Sequence, residues 1–347
     1  MNMYCTSTLT ISPVHEKEAG EAGREFFRKE FRSQQFGTPG RWFGSGAATL
    51  KLKAAVAETQ FRNLLHGRTP DGAETLIQTS ADPNRVAAWR LTLTAPKQLS
   101  VLWALVPDAE RRRIECIHTA AVKRALGSFA RCLTGHESGP PDGERAAALF
   151  ATFRSGADQH QHPDLHSTVF FINLGLQRDG RWGEFSTNQV QQHADLLRCL
   201  YHDTLDWSIL RGFGPVLPFS ETEWHPFGIP APLCERFSSA PTTREGPKRG
   251  LEHEPGKLHH GELFAHWQRQ ARAFGWGPVR VGSYLRAARG AMAVDKLVET
   301  VRQRIHRGKE TLQKVTNSLM RWTRGHEDRP KPPRATSSKD QKMSHSY

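Results

Sequence analysis

Two strand-like runs constrain this chain more than any other feature. They span residues 147–155 and 165–176 and are joined by the polar loop GADQHQHPD. The second reads LHSTVFFINLGL, rich in the β-branched and aromatic residues that favour strands. An isolated hairpin is marginal in water, so the pair needs partner strands. Residues 5–15 (CTSTLTISPVH) and 88–94 (AWRLTLT) alternate and supply candidates. A tight turn with an Asp-Gly signal is expected over 177–183 (QRDGRWG).

Helical patterns fill the intervals. They cover residues 16–33, 53–66, 95–106, 107–134, 188–213, 260–273 and 283–322, with a glycine-rich turn around Trp42. Pro96 stands near the first turn of the third of these. The expected class is therefore α+β, an antiparallel sheet flanked by helices, followed by a helical basic region. Three parts are expected: 1–220 as the main domain, 221–324 as a basic helical extension, and 325–347 as a disordered tail.

The charge follows that division. The 347 residues carry 48 Lys+Arg and 35 Asp+Glu, a net of +13. Residues 235–347 hold 23 basic and 11 acidic side chains, whereas residues 1–234 hold 25 and 24. The excess thus belongs to an appended region, which favours a polyanion such as nucleic acid. No apolar run approaches the ~20 residues of a membrane helix. The N-terminus lacks a basic segment followed by an apolar one, so no secretory signal is expected. The five cysteines (Cys5, Cys116, Cys132, Cys199, Cys234) are scattered and form no CxxC, which fits a reducing cytoplasm. No phosphate-binding P-loop occurs.

The motifs TISPV, RWFGSGAATLKL, FRNLLHGRTPDG, LTLTAPKQLSVLWAL, HPDLHSTVFFIN, RDGRW and LYHDTLDWSILRGFG occur in this order. Their order and content, over roughly residues 8–220, resemble the MobF-type relaxase domain, the TrwC/TraI group of conjugative nickases. That resemblance implies a central antiparallel sheet flanked by helices and binding of single-stranded DNA at a transfer origin. It also implies a tyrosine that attacks a phosphodiester, a divalent cation held by three histidines, and an aspartate that orients one of them or acts as base. Phosphoryl transfer needs such a nucleophile, Lewis acid and supporting shell.

Each of these chemical parts is altered here. Where the resemblance implies tyrosine pairs, the segment before the Trp-x-Gly-x-Gly turn holds Phe26, Phe27 and Phe31. A phenyl ring can stack on a base or pack in a core, but it cannot attack phosphorus. The aspartate position, seven residues ahead of Lys97, is Arg90. An arginine repels a metal ion and contacts a phosphate, or is simply solvated. Of the two histidines in the implied P-x-L-H-x-H pattern, His166 remains and Thr168 replaces the other. The third ligand position maps to Ser155 or to Thr152, depending on register. A rebuilt Mg²⁺ or Mn²⁺ site would have to draw His160 and His162 of the hairpin loop toward His166, with water or Tyr201 as nucleophile.

Other residues suit DNA binding. Lys97 stands at a predicted helix N-terminus, where amides and dipole favour phosphate. Arg41 beside Trp42, and Arg178 and Arg181 beside Trp182, suit stacking with phosphate contact, although both tryptophans equally suit the core. Arg302, Arg304 and Arg307 lie on the long basic helix. The expected function is a relaxase-like DNA-binding protein of a conjugative or mobile element that does not nick. Its partners would be single-stranded or hairpin DNA and an active relaxase or other conjugation protein. The alternatives are an active nickase with rearranged histidines and a protein-binding module on the same scaffold.

Overall fold

The computed structural model describes residues 9–19, 40–52, 55–78, 82–133, 147–176, 180–213, 229, 231–238 and 260–290. All belong to one compact unit, Met1–Ala293. The strands are β1 (Leu9–His15), β2 (Arg41–Phe43), β3 (Val86–Thr94), β4 (Ala147–Ala157), β5 (Pro163–Leu176) and β6 (Trp182–Gly183). They form one antiparallel sheet in the order β1-β3-β5-β4-β2, with β6 paired to the end of β5. The hairpin read from sequence is thus the sheet's centre. Both strands run two residues further into the polar loop than expected. The helices are α1 (Ser45–Thr49), α2 (Glu58–Leu65), α3 (Lys97–Leu105), α4 (Asp108–Leu133), α5 (Thr187–Gln192), α6 (Ala194–Phe213), α7 (Ala231–Arg236), α8 (His260–Ala273) and α9 (Pro278–Gly290).

Several expectations are refined. Where a glycine-rich turn is expected, the chain makes β2 and α1. Gly44 allows the junction with φ 101°, and a Cβ there would stand 2.3 Å from the Ala148 carbonyl oxygen. The expected helix over 188–213 breaks at His193, whose ring Nδ1 bonds the Gln189 carbonyl. Gly180 has φ 79°, as the Asp-Gly turn requires. The helix expected over 16–33 is described only for residues 16–19, and the long helix over 283–322 only up to 290.

Alternation along the strands gives the sheet two unlike faces. On one, Trp89, Leu91, Leu93, Val169 and Phe171 are covered by α3, α4 and α6 and share a core with Leu263, Trp267 and Leu285. Helices beyond residue 220 therefore extend this core by packing on α3 and α6. The other face carries Leu149, Ala151, Phe170 and Ile172 under α1 and α2, with Phe61 edge-on to Phe170 at 5.0 Å between ring centres. Among the described residues, that second core lies over one end of its face.

Candidate functional site

Beside and beyond this core the second face carries polar side chains, and strand register shows which of them share it. One cross-strand row runs Ser12, Arg90, Phe170, Ala151. The next runs Thr10, Thr92, Thr168, Phe153, and the last Thr94, His166, Ser155. Directly paired residues in antiparallel strands point to the same side. Ser155, opposite His166, is therefore on the face of His166 and Thr168. Thr152, opposite Val169, belongs to the other face and donates its hydroxyl to the Arg41 carbonyl. Register thus separates the two candidate positions that the amino-acid order leaves open.

His166 Nδ1 lies 2.9 Å from the Asp164 carbonyl oxygen and 3.0 Å from its carboxylate. Both partners only accept, so Nδ1 carries the proton and, in the neutral ring, Nε2 holds the lone pair. Arg90 is exposed, and it has no hydrogen-bond or ion-pair partner among the described residues.

His160 and His162 flank Gln161 at the hairpin tip, which has φ 60°. Trp267 in α8 fastens that tip by donating Nε1–H to the Gln161 carbonyl at 2.8 Å. His162 Nδ1 is 3.4 Å from the Asp158 carboxylate, while the His160 ring faces Gln159. Among the described residues, no three His, Cys, Asp or Glu side chains are placed to share a metal ion. One imidazole beside the hydroxyls of Thr168 and Ser155 is a donor set that does not fit a divalent cation held by three histidines. Nothing in the geometry draws His160 and His162 in to complete it.

Tyr201 is remote from this face. It is 1% exposed on the helical side of the sheet, with its hydroxyl 2.9 Å from His118 Nδ1. Burial raises its pKa well above the ordinary phenol value. It is neither reachable nor readily ionised, so it drops out as a nucleophile. His118 Nε2 is in turn 2.9 Å from the Ser167 hydroxyl. Burial, reinforced by the charge of Arg154, lowers the His118 pKa to about 3. This buried chain anchors β5 from behind the polar face.

Other expected contacts are placed differently. The Lys97 ammonium donates to the Pro163 carbonyl at 2.8 Å. Burial lowers its pKa despite the carboxylates of Asp164 and Asp158. It holds the start of β5 and is not presented to a phosphate. Arg41 and Trp42 are adjacent on β2 and so face opposite sides. Trp42 packs into the second core, 6.4 Å from the Phe61 ring centre, so the two do not form a stacking pair. Trp182 packs against the same core, and Arg181 is exposed beside it. Phe26, Phe27, Phe31, Arg178, Arg302, Arg304 and Arg307 lie outside the described residues. Sequence reading missed the His118 chain and the aligned hydroxyls. The alternation in LTLT carries a signal for the threonines of β3, but nothing local pairs them with β1 and β5.

The architecture is an antiparallel sheet flanked by helices, and comparison places it among the relaxases. Residues 17–242 match the TrwC relaxase family, and the chain belongs to that family. The multifunctional conjugation protein TraI of Escherichia coli is 31% identical over 189 residues, 52% of this chain and 10% of the relative. Its counterpart from strain K12 is 30% identical over 187 residues, with the same coverage. The chain thus spans about a tenth of the length of these relatives. Among solved structures, the conjugative relaxase TrwC in complex with oriT DNA, metal-bound, aligns with a TM-score of 0.61 at 21% identity. It covers 78% of this chain and 99% of the other. TrwC complexed with a 27-mer DNA comprising the recognition hairpin and the cleavage site gives 0.58 at 20% identity, with the same coverage. At that identity the likeness concerns the fold. No helix among the described residues is long and apolar enough to cross a membrane.

Proposed function

We propose that this chain is a DNA-binding relaxase of a conjugative or mobile element that holds single-stranded or hairpin DNA without nicking it. The observation that carries this reading is the composition of the polar face. Among the described residues His166 is the one imidazole of its cross-strand rows, hydroxyls stand beside it, and the cation Arg90 occupies the position where the resemblance implies an aspartate. The solved relatives were captured on oriT DNA, which supports the same partner here. The protein works in the cytoplasm and leaves strand cleavage to an active relaxase or another conjugation protein.

The test combines binding and cleavage. Labelled single-stranded and hairpin DNA are incubated with the full chain in Mg²⁺, in Mn²⁺ and in chelator, at two salt concentrations. Binding in all three, weakening steeply with salt because the chain carries a net of +13, and no covalent adduct are expected. Metal-dependent cleavage that disappears in His166→Ala would overturn the reading. Absence of DNA binding at low salt would do the same.

A further inference from the structure

We infer that the polar face is a track for the sugar–phosphate backbone of a single strand, in which Arg90 binds one phosphate by charge and a line of hydroxyls binds its neighbours without a divalent ion. This rests on the DNA-binding reading above and specifies how the same face would be used.

Arg85, Arg154 and Arg198 each have a carboxylate partner. Arg90 is exposed and has none among the described residues. The three cross-strand rows on its face contain no Asp or Glu. Asp164 lies beyond the last row, with its carboxylate turned to His166. A solvated sheet face ordinarily mixes charges of both signs. This one presents a planar guanidinium, which suits bidentate phosphate binding, followed by hydroxyls that can donate to phosphate oxygens.

Spacing fits a sugar–phosphate backbone. Arg90, Thr92 and Thr94 project from alternate positions of β3, roughly 6.8 Å apart at about 3.4 Å per residue. The distance between neighbouring phosphates along a strand exceeds the ~3.4 Å axial rise in duplex and single strand alike. One phosphate per pair of residues therefore fits a DNA strand, and its being a single strand follows from the DNA-binding reading above. Thr10 and Ser155 widen the track on either side.

The experiment measures affinity of the full chain for a single-stranded oligonucleotide across a salt series, with chelator throughout. The unaltered chain should bind. Arg90→Ala should weaken binding about tenfold whatever the base sequence and reduce the slope of log K against log salt by about 0.7. Arg90→Lys should keep the slope at lower affinity, since an ammonium is a point charge. Thr92→Val, which keeps the branched shape, should weaken binding and leave the slope unchanged. Thermal melts confirm that each variant is folded. If the chain binds DNA and Arg90→Ala changes neither affinity nor slope, the track is wrong while DNA binding stands. Equal, Arg90-dependent affinity for the matching duplex would overturn the single-strand assignment. If the unaltered chain fails to bind even at low salt, both readings fall.

Discussion

The ring of His118 illustrates how a single buried residue sets chemistry that its sequence neighbours do not reveal. It is fully buried, spans Ser167 and Tyr201, and has a pKa lowered from 6.5 to about 3. The unfolded chain takes up this proton near pH 6.5 and the folded chain does not, so stability is lost as pH falls from about 6.5 toward about 3. The slope from this one group approaches ~1.4 kcal/mol per pH unit. Denaturant titrations at pH 7, 5.5 and 4.5 should show His118→Gln less stable at pH 7 but flatter toward acid. Parallel pH profiles for the two proteins would remove His118 as the source. In sequence this histidine is one polar position in a long Ala- and Arg-rich helix. Only packing of α4 against β5 makes it part of a hydrogen-bond chain. Arg90 and the retained His166, in contrast, were legible in sequence, because motif order alone aligns them.

Elements on the second face are tied together by Arg85, which precedes β3. Its side chain is buried and donates to Glu16 after β1 at 2.7 Å, to the Leu65 carbonyl of α2 at 3.0 Å, and to Glu184 after β6. Glu16 also pairs with His66 at the end of α2. These contacts set α2 over one end of the sheet. Replacing Arg85 with Met should cost about 3 kcal/mol or more, because two carboxylates lose their cation. Adding Glu16→Gln and Glu184→Gln should recover part of that loss. Chemical denaturation of the single and triple variants tests this, and a triple variant no better than the single would show that the charges are not the cause. Sequence reading placed β1, β3, β4, β5, α3, α4 and α8 closely. It missed β2 and α1 because short elements are held by tertiary contacts, here the approach of Gly44 to β4, and carry little periodicity of their own.

For the whole molecule, charge and proline content suggest a boundary near residue 220, yet the core continues past it. Trp267 and Phe264 of α8 pack on Trp103 of α3, with ring centres 6.0 and 5.0 Å away, and the Arg111 guanidinium lies 3.6 Å over Phe264. Leu263, Phe264, Trp267 and Trp276 are buried in that core, and at ~1.5–3 kcal/mol each their loss rivals the total stability of a typical domain. A chain ending at residue 220 should therefore fail to give a cooperative thermal transition, whereas one ending at residue 293 should melt like the full protein. Equal melting of the two shorter chains would show that α8 and α9 are dispensable.

By itself the sequence determined the family, the central hairpin, the long helix Asp108–Leu133 and which residues stand at positions 90, 166 and 168. These depend on residue type, periodicity and order along the chain, and all are local quantities. Only the tertiary structure decided that Ser155 and not Thr152 faces His166, that Lys97 is occupied by the Pro163 carbonyl, that Trp42 belongs to the core, and that Tyr201 is sealed behind the sheet. Each of those depends on strand register and on which helix covers which face. A shift of one residue in register exchanges the two faces of a strand, and it is set by packing across residues that are distant in sequence.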